Sequence, residues 1–111
     1  MTLNGGHVVK PADLLNVNPL LADRVRLAIM ANLSLAGGPV DFNTLLEELQ
    51  LTKGNLSTHL RKLEEAELIR VKKEFVGRKP RSTYVCTATG KTEMRNYLST
   101  IEALLKNKAL R

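Results

Sequence analysis

Residues 51–65 read LTKGNLSTHLRKLEE, from Leu51 to Glu65. Leu56, Leu60 and Leu63 fall at i, i+4 and i+7, one apolar stripe at the helical period. Thr52 places an N-cap hydroxyl just ahead of that stripe. The pattern predicts a helix over residues 53–66. Its first turns are nonetheless made of Gly54, Asn55, Ser57 and Thr58. Relative to Ala, Gly costs about 1 kcal/mol in a helix interior, and Asn, Ser and Thr roughly 0.5 kcal/mol each. All four lie off the leucine stripe, so packing does not explain them. Something outside the fold does.

Charge points the same way. The 111-residue chain carries a formal net charge of +6. Residues 1–51 hold three basic and five acidic side chains, residues 52–81 nine and four, and residues 82–111 five and two. The basic excess therefore begins at this helix, and a polyanionic partner follows from it. The length fits one domain. With 43% hydrophobic and 4% aromatic residues and no Trp, its core is aliphatic. Cys86 is the only cysteine, which excludes an internal disulfide. No apolar run reaches the ~18 residues of a membrane span, and no signal-peptide pattern opens the chain. A soluble, cytoplasmic protein without membrane contact is expected.

Outward from the central helix, the elements follow in order. Residues 1–17, with Gly5, Gly6 and Pro11, form a partly ordered arm with a short helix at 11–15. Asn18-Pro19 is a strong start signal for a helix running to about Leu35. Its main stripe is Leu21, Val25, Ala28, Ile29 and Leu33, widened by Leu20, Leu27 and Met30. Gly37-Gly38-Pro39 ends it, and "VDF" (40–42) suggests a very short strand. Asn43 then caps a helix from Thr44 to about Gln50, burying Phe42, Leu45, Leu46 and Leu49. The turn at Leu51-Thr52 is so short that this helix and the next form a helix-turn-helix.

From Leu68 the period changes to two. "LIRVKKEFV" (68–76) reads as a strand with an irregularity at Lys72-Lys73. "GRKPRS" (77–82) reads as a turn, and "TYVCTAT" (83–89) as the second strand of a hairpin. Thr89 caps a last helix over about 90–109, striped by Met94, Leu98, Ile101 and Leu105 with Tyr97 and Leu104 alongside. The fold class is mainly α with a small β component: a three-helix core, a hairpin and a C-terminal helix.

The run "LTKGNLSTHLRKLEEAELIRVKKEF" followed by "RKPRSTYVCTATGK" closely resembles the small winged helix-turn-helix transcriptional regulators of the MarR/ArsR-like group. It is most similar to the subfamily that consists of little beyond the stand-alone DNA-binding domain. The resemblance covers about residues 18–108. One position departs from it: Glu67 stands where the group usually has Gly, which takes the left-handed conformation readily.

The resemblance implies an N-terminal arm (1–17), a winged helix-turn-helix domain (18–89) and a dimerisation helix (90–111). It implies sequence-specific binding of double-stranded DNA by a homodimeric regulator, expected to be a repressor. The recognition helix lies in the major groove with its first turns toward the base edges. Thr52, Lys53, Gly54, Asn55, Ser57, Thr58, Arg61 and Lys62 are its candidate DNA-binding residues. Small residues allow close approach, hydroxyls reach phosphates or bases, and Asn55 can pair with adenine. In the wing (76–83), Arg78, Lys79 and Arg81 track the backbone or enter the minor groove. An Arg61–Glu65 pair is the structural alternative for Arg61, and His59, beside the leucine stripe, reads as a packed histidine. The dimerisation residues are Met94, Tyr97, Leu98, Ile101, Leu104 and Leu105, with the first helix and the arm contributing.

Members of that group that sense oxidants or metals do so through cysteines or ligand clusters. Cys86 sits on a strand, where it suits a small buried hydrophobe. With only His7 and His59 besides, the chain has no metal-ligand set. No cofactor and no small-molecule effector is designated by any residue pattern. No carboxylate pair, nucleophile–base set or phosphate-cradling glycine loop supports an enzyme. A winged-helix protein-interaction module is the alternative reading, but it leaves the nine basic residues of 52–81 unexplained.

Overall fold

The computed structural model describes residues 2, 3 and 7–110. Strand β1 (Thr2–Leu3) pairs antiparallel with β2 (His7–Val8), and a 3-10 turn follows at Pro11–Asn16. This arm packs along the C-terminal helix α4 (Ala88–Leu105). Residues 1, 4–6 and 111 lie outside the described residues.

The expected helix from Pro19 to Leu35 is divided in two. Pro19–Ala22 is a 3-10 turn, capped by Asn18 through the Leu20 amide at 3.0 Å. Helix α1 runs Arg24–Ala36 under a separate cap, Asp23, whose carboxylate accepts from the Val25 and Arg26 amides at 2.8 and 3.0 Å. Asp23 holds the extended conformation of an N-cap, so the helical register restarts there. The expected stripe changes accordingly: Leu21, Ile29, Met30 and Leu33 are buried, whereas Ala28 is exposed. Gly37, at φ 72°, ends α1 in the left-handed conformation.

Strand β3 (Val40–Asp41) leads into α2 (Phe42–Leu49). The cap of α2 is Asp41, not Asn43: the Thr44 amide donates to its carboxylate at 2.7 Å. Gln50, at φ 52°, turns the chain into α3 (Lys53–Glu65), where the Thr52 hydroxyl accepts from the Asn55 amide at 3.2 Å. After α3 the chain closes a Schellman motif. The Glu67 amide donates to the Glu64 carbonyl at 2.9 Å and the Leu68 amide to the Leu63 carbonyl at 3.0 Å. Glu67 has φ 61°. The residue that replaces Gly therefore adopts the left-handed conformation, and the buried Leu63–Leu68 pair holds it there.

Strands β4 (Ile69–Val76) and β5 (Lys79–Cys86) pair without a break from Ile69↔Cys86 to Val76↔Lys79. No irregularity occurs at Lys72-Lys73, and the expected six-residue turn shrinks to Gly77-Arg78, with Gly77 at φ 66°. Pro80 thus lies inside a strand. Next to a two-residue turn its position faces β4 without hydrogen bonds, so its missing N–H points toward the side where β3 has already ended. The three strands form an antiparallel sheet in the order β3-β5-β4. Thr87, not Thr89, caps α4, its hydroxyl accepting from the Gly90 amide at 2.9 Å. The helix stops at Leu105, ahead of a 3-10 turn at Lys108–Leu110.

The core gathers Leu21, Ile29, Met30, Leu33, Leu45, Leu56, Leu60, Leu63, Leu68, Ile69, Cys86 and Met94 between the helices and the base of the sheet. Cys86 is buried there at 6% exposure. The molecule measures 56 × 25 × 21 Å, and its radius of gyration is 16.2 Å. A compact chain of this length would have about 13 Å.

Candidate nucleic-acid interface

Helix α3 divides cleanly into two faces. Leu56, Leu60 and Leu63 are 0%, 3% and 0% exposed. Thr52, Lys53, Gly54, Asn55, Ser57, Thr58, Arg61 and Lys62 are all exposed. The fold thus brings all eight expected residues onto one outward surface. Among the described residues Lys53, Arg61 and Lys62 form no ion pair, so the Arg61–Glu65 alternative is not realised. The Thr58 hydroxyl donates to the Gly54 carbonyl at 2.9 Å, and the Thr52 hydroxyl accepts its capping bond. Each oxygen keeps further hydrogen-bonding capacity toward a ligand.

Gly54 has φ in the ordinary range, and a Cβ built on it meets nothing within 4 Å. Neither backbone nor core requires a glycine at this position. Gly54→Ala should therefore stabilise the fold by about 0.5 kcal/mol, while weakening DNA binding by crowding the duplex. Thermal denaturation and a DNA titration of the same variant check this. A gain in both would mean that Gly54 does not face DNA.

The wing carries its cations unequally. Arg78 and Lys79 are exposed at the tip and, among the described residues, unpaired. Arg81 instead lies 3.6 Å from the Asp41 carboxylate. Hydrogen bonds from the Thr44 hydroxyl and amide hold that carboxyl below its ordinary pKa, and the Arg81 charge adds to the effect. Arg81 therefore ties the wing's base to the start of α2. Lys72 sits 3.6 Å from Glu74 on its own strand.

One positioning contact has no signal in the sequence. Arg26 of α1 donates through Nε to the Leu20 carbonyl at 2.7 Å, lies 4.0 Å from Asp23, and reaches His59 Nδ1 at 3.2 Å. A guanidinium can only donate, so Nδ1 is the acceptor in this contact. His59 is half-buried and braces α3 against α1. The hydrogen bond from the Arg26 amide lowers the Asp23 carboxyl below its usual pKa, aided by the Val25 amide and the Arg26 charge.

A second junction joins α3 to α4. The Thr87 hydroxyl donates to the Glu67 carbonyl at 2.7 Å and its amide to the Leu68 carbonyl at 3.1 Å. Gly90 packs against Leu68, Cys86 and Met30. Farther along, Met94 is 4% exposed and belongs to the subunit's own core, with Tyr97 packed against it. Leu98, Ile101 and Leu105 are 50%, 40% and 56% exposed, and Leu104 is half-buried. The expected stripe thus splits into an inner part and an outer part.

Among the described residues no helix is long and apolar enough to cross a membrane, and no cluster of three His, Cys, Asp or Glu side chains could hold a metal ion.

A helix-turn-helix followed by a two-stranded basic wing defines the winged-helix class. The winged helix DNA-binding domain family matches residues 25–105, and the chain belongs to it. An uncharacterized protein of Methanocaldococcus jannaschii is 39% identical over 67 residues, 60% of this chain and 73% of that one. The structure is also similar to that of a transcriptional regulator homologue from Pyrococcus horikoshii. The TM-score is 0.74 at 31% identity, covering 84% of this chain and 90% of the other. An ArsR family transcriptional regulator shares the fold at TM-score 0.57 and 24% identity, over 90% and 98% of the two chains.

Proposed function

We propose that this protein is a cytoplasmic, homodimeric transcriptional regulator that binds specific double-stranded DNA sites as a repressor. The observation that carries the reading is the division of α3. Three buried leucines anchor it to the core, and the outward face of its first turns consists of small polar and basic residues with free donors. That face suits a major groove, and the free cations Arg78 and Lys79 suit the flanking backbone. The regulators of similar structure support the biological role. Dimerisation is supported by Leu98, Ile101 and Leu105, large apolar side chains left partly in water on one side of α4. Leu14 and Leu15 add apolar surface on the turn that packs against α4.

In vitro selection of duplexes, followed by titration of variants at one salt concentration, tests the reading. Asn55→Ala and Arg61→Ala should each lose about 1–3 kcal/mol on the selected site and little on random DNA. Lys79→Ala should weaken both about equally, because a phosphate contact carries no sequence information. If the specific-to-random ratio is unchanged in Asn55→Ala and Arg61→Ala, the outer face of α3 does not read bases.

A further inference from the structure

Strand β4 alternates as a half-buried strand should as far as Val71, and its pleat then runs on past the point where a core exists. Ile69 is 2% exposed and Val71 half-buried, both on the face turned to the helices. Tyr84, the cross-strand partner of Val71, shares that face and lies near enough to Glu64 of α3 to feel its charge. Two and four residues beyond Val71, the same pleat presents Lys73 and Phe75. Phe75 pairs with Pro80 across the hairpin, ~13 Å beyond Val71 at strand rise. Nothing covers it: Phe75 is 73% exposed.

An aromatic ring left in water forfeits its burial energy, and this chain has only two Phe and no Trp. Its surroundings are cationic. Arg78 and Lys79 occupy the adjoining turn and strand start, Lys73 precedes it on the same face, and all three are exposed and unpaired among the described residues. An apolar protein surface does not match that ring of charge. A duplex groove does, since its walls are phosphates and the base faces exposed when a step is parted are flat and apolar.

We infer that Phe75, backed by Pro80, is a wedge that enters the minor groove beside the recognition helix and parts a base step. The inference rests on the DNA-binding reading and adds to it a residue acting through DNA deformation. The two-residue turn makes a stiff, narrow tip, and Arg78 and Lys79 hold the groove's phosphates on either side. Opening a step is least costly at flexible pyrimidine–purine sequences. The wing therefore prefers such a step at a fixed offset from the bases read by α3, without any hydrogen bond to it.

The test uses duplexes from the in vitro selection, with 2-aminopurine placed at each pyrimidine–purine step in turn and dyes at the two ends. Binding, 2-aminopurine fluorescence and end-to-end energy transfer are read together. Wild type is expected to brighten one step per half-site and to shorten the end-to-end distance. Phe75→Ala should abolish both signals at saturation and weaken binding about tenfold. It should stay folded, because the side chain it removes is exposed. Phe75→Trp should restore both signals. Arg78→Ala should bind less tightly yet keep both at saturation. Wild-type binding with no unstacked step, or a Phe75→Ala complex that still opens one, would overturn the wedge and leave DNA binding intact. A wild type that binds no duplex overturns both.

Discussion

Ile101→Glu should produce a folded monomer by light scattering, with its helical circular dichroism largely retained. Ile101 lies between Leu98 and Leu105 on the outer part of α4, and at 40% exposure it is not needed by the subunit's own core. A carboxylate there meets water in the free subunit. In a dimer it would be buried without a partner, which is severely unfavourable. Binding to the selected site should then fall by on the order of 10² to 10⁴. Two recognition helices joined about 34 Å apart, one duplex turn, give the second a millimolar effective concentration, and the monomer has no second helix. Its affinity should also vary less steeply with salt, since fewer phosphates are neutralised per particle. A variant that remains dimeric, or a monomer that binds as tightly as wild type, would show that the outer stripe of α4 does not join two subunits.

Gly90→Ala should be the most damaging Gly→Ala change among the described residues. A Cβ at Gly90 would run into the Leu68 carbonyl oxygen and stand 2.9 Å from Cys86 Sγ and 3.0 Å from Met30 Cε. The carbonyl cannot step aside, because it accepts the Thr87 amide and belongs to the turn that closes α3. Overpacking of this kind costs about 3 kcal/mol when backbone has to move. For a domain of this size the melting temperature should drop by about 10–15 °C. Urea unfolding monitored by circular dichroism gives the free energy directly. A loss below about 1 kcal/mol would mean that α4 does not seat against Leu68 as described.

Gly90 also shows what could be read in the chain and what could not. The leucines of α3, the Thr52 cap, the hairpin and the C-terminal helix all follow from local periodicity and cap chemistry. Each misplaced helix start involves two rival polar residues: Asn18 and Asp23, Asn43 and Asp41, Thr89 and Thr87. Either member can cap. Which one does is fixed by where the preceding chain enters, and that is a tertiary fact. Pro80 pushed the expected wing turn outward because proline usually marks turns; the early end of β3 makes it harmless in a strand. The outward residues of α3 were legible as residues that packing had no use for. Arg81's tie to Asp41 and the Arg26–His59 brace were not, because each joins groups far apart in sequence. Met94 shares its spacing with Ile101, and only the docking angle of α4 separates the buried residue from the exposed one.

The two faces of α3 also bear on how such a protein changes over generations. Folding of that helix rests on Leu56, Leu60, Leu63 and the Thr52 cap, and none of the residues assigned to base reading contributes to the core. Surface substitutions away from caps usually shift stability by no more than about 0.5 kcal/mol. A duplicated copy could therefore exchange Asn55, Ser57 or Arg61 one at a time and acquire a new DNA site while every intermediate still folds. The same freedom does not extend to Gly90 or Leu56, where a first step would already cost about 3 kcal/mol of stability. Divergence among descendants of this chain should concentrate on the outward positions of one helix and at the tip of the wing.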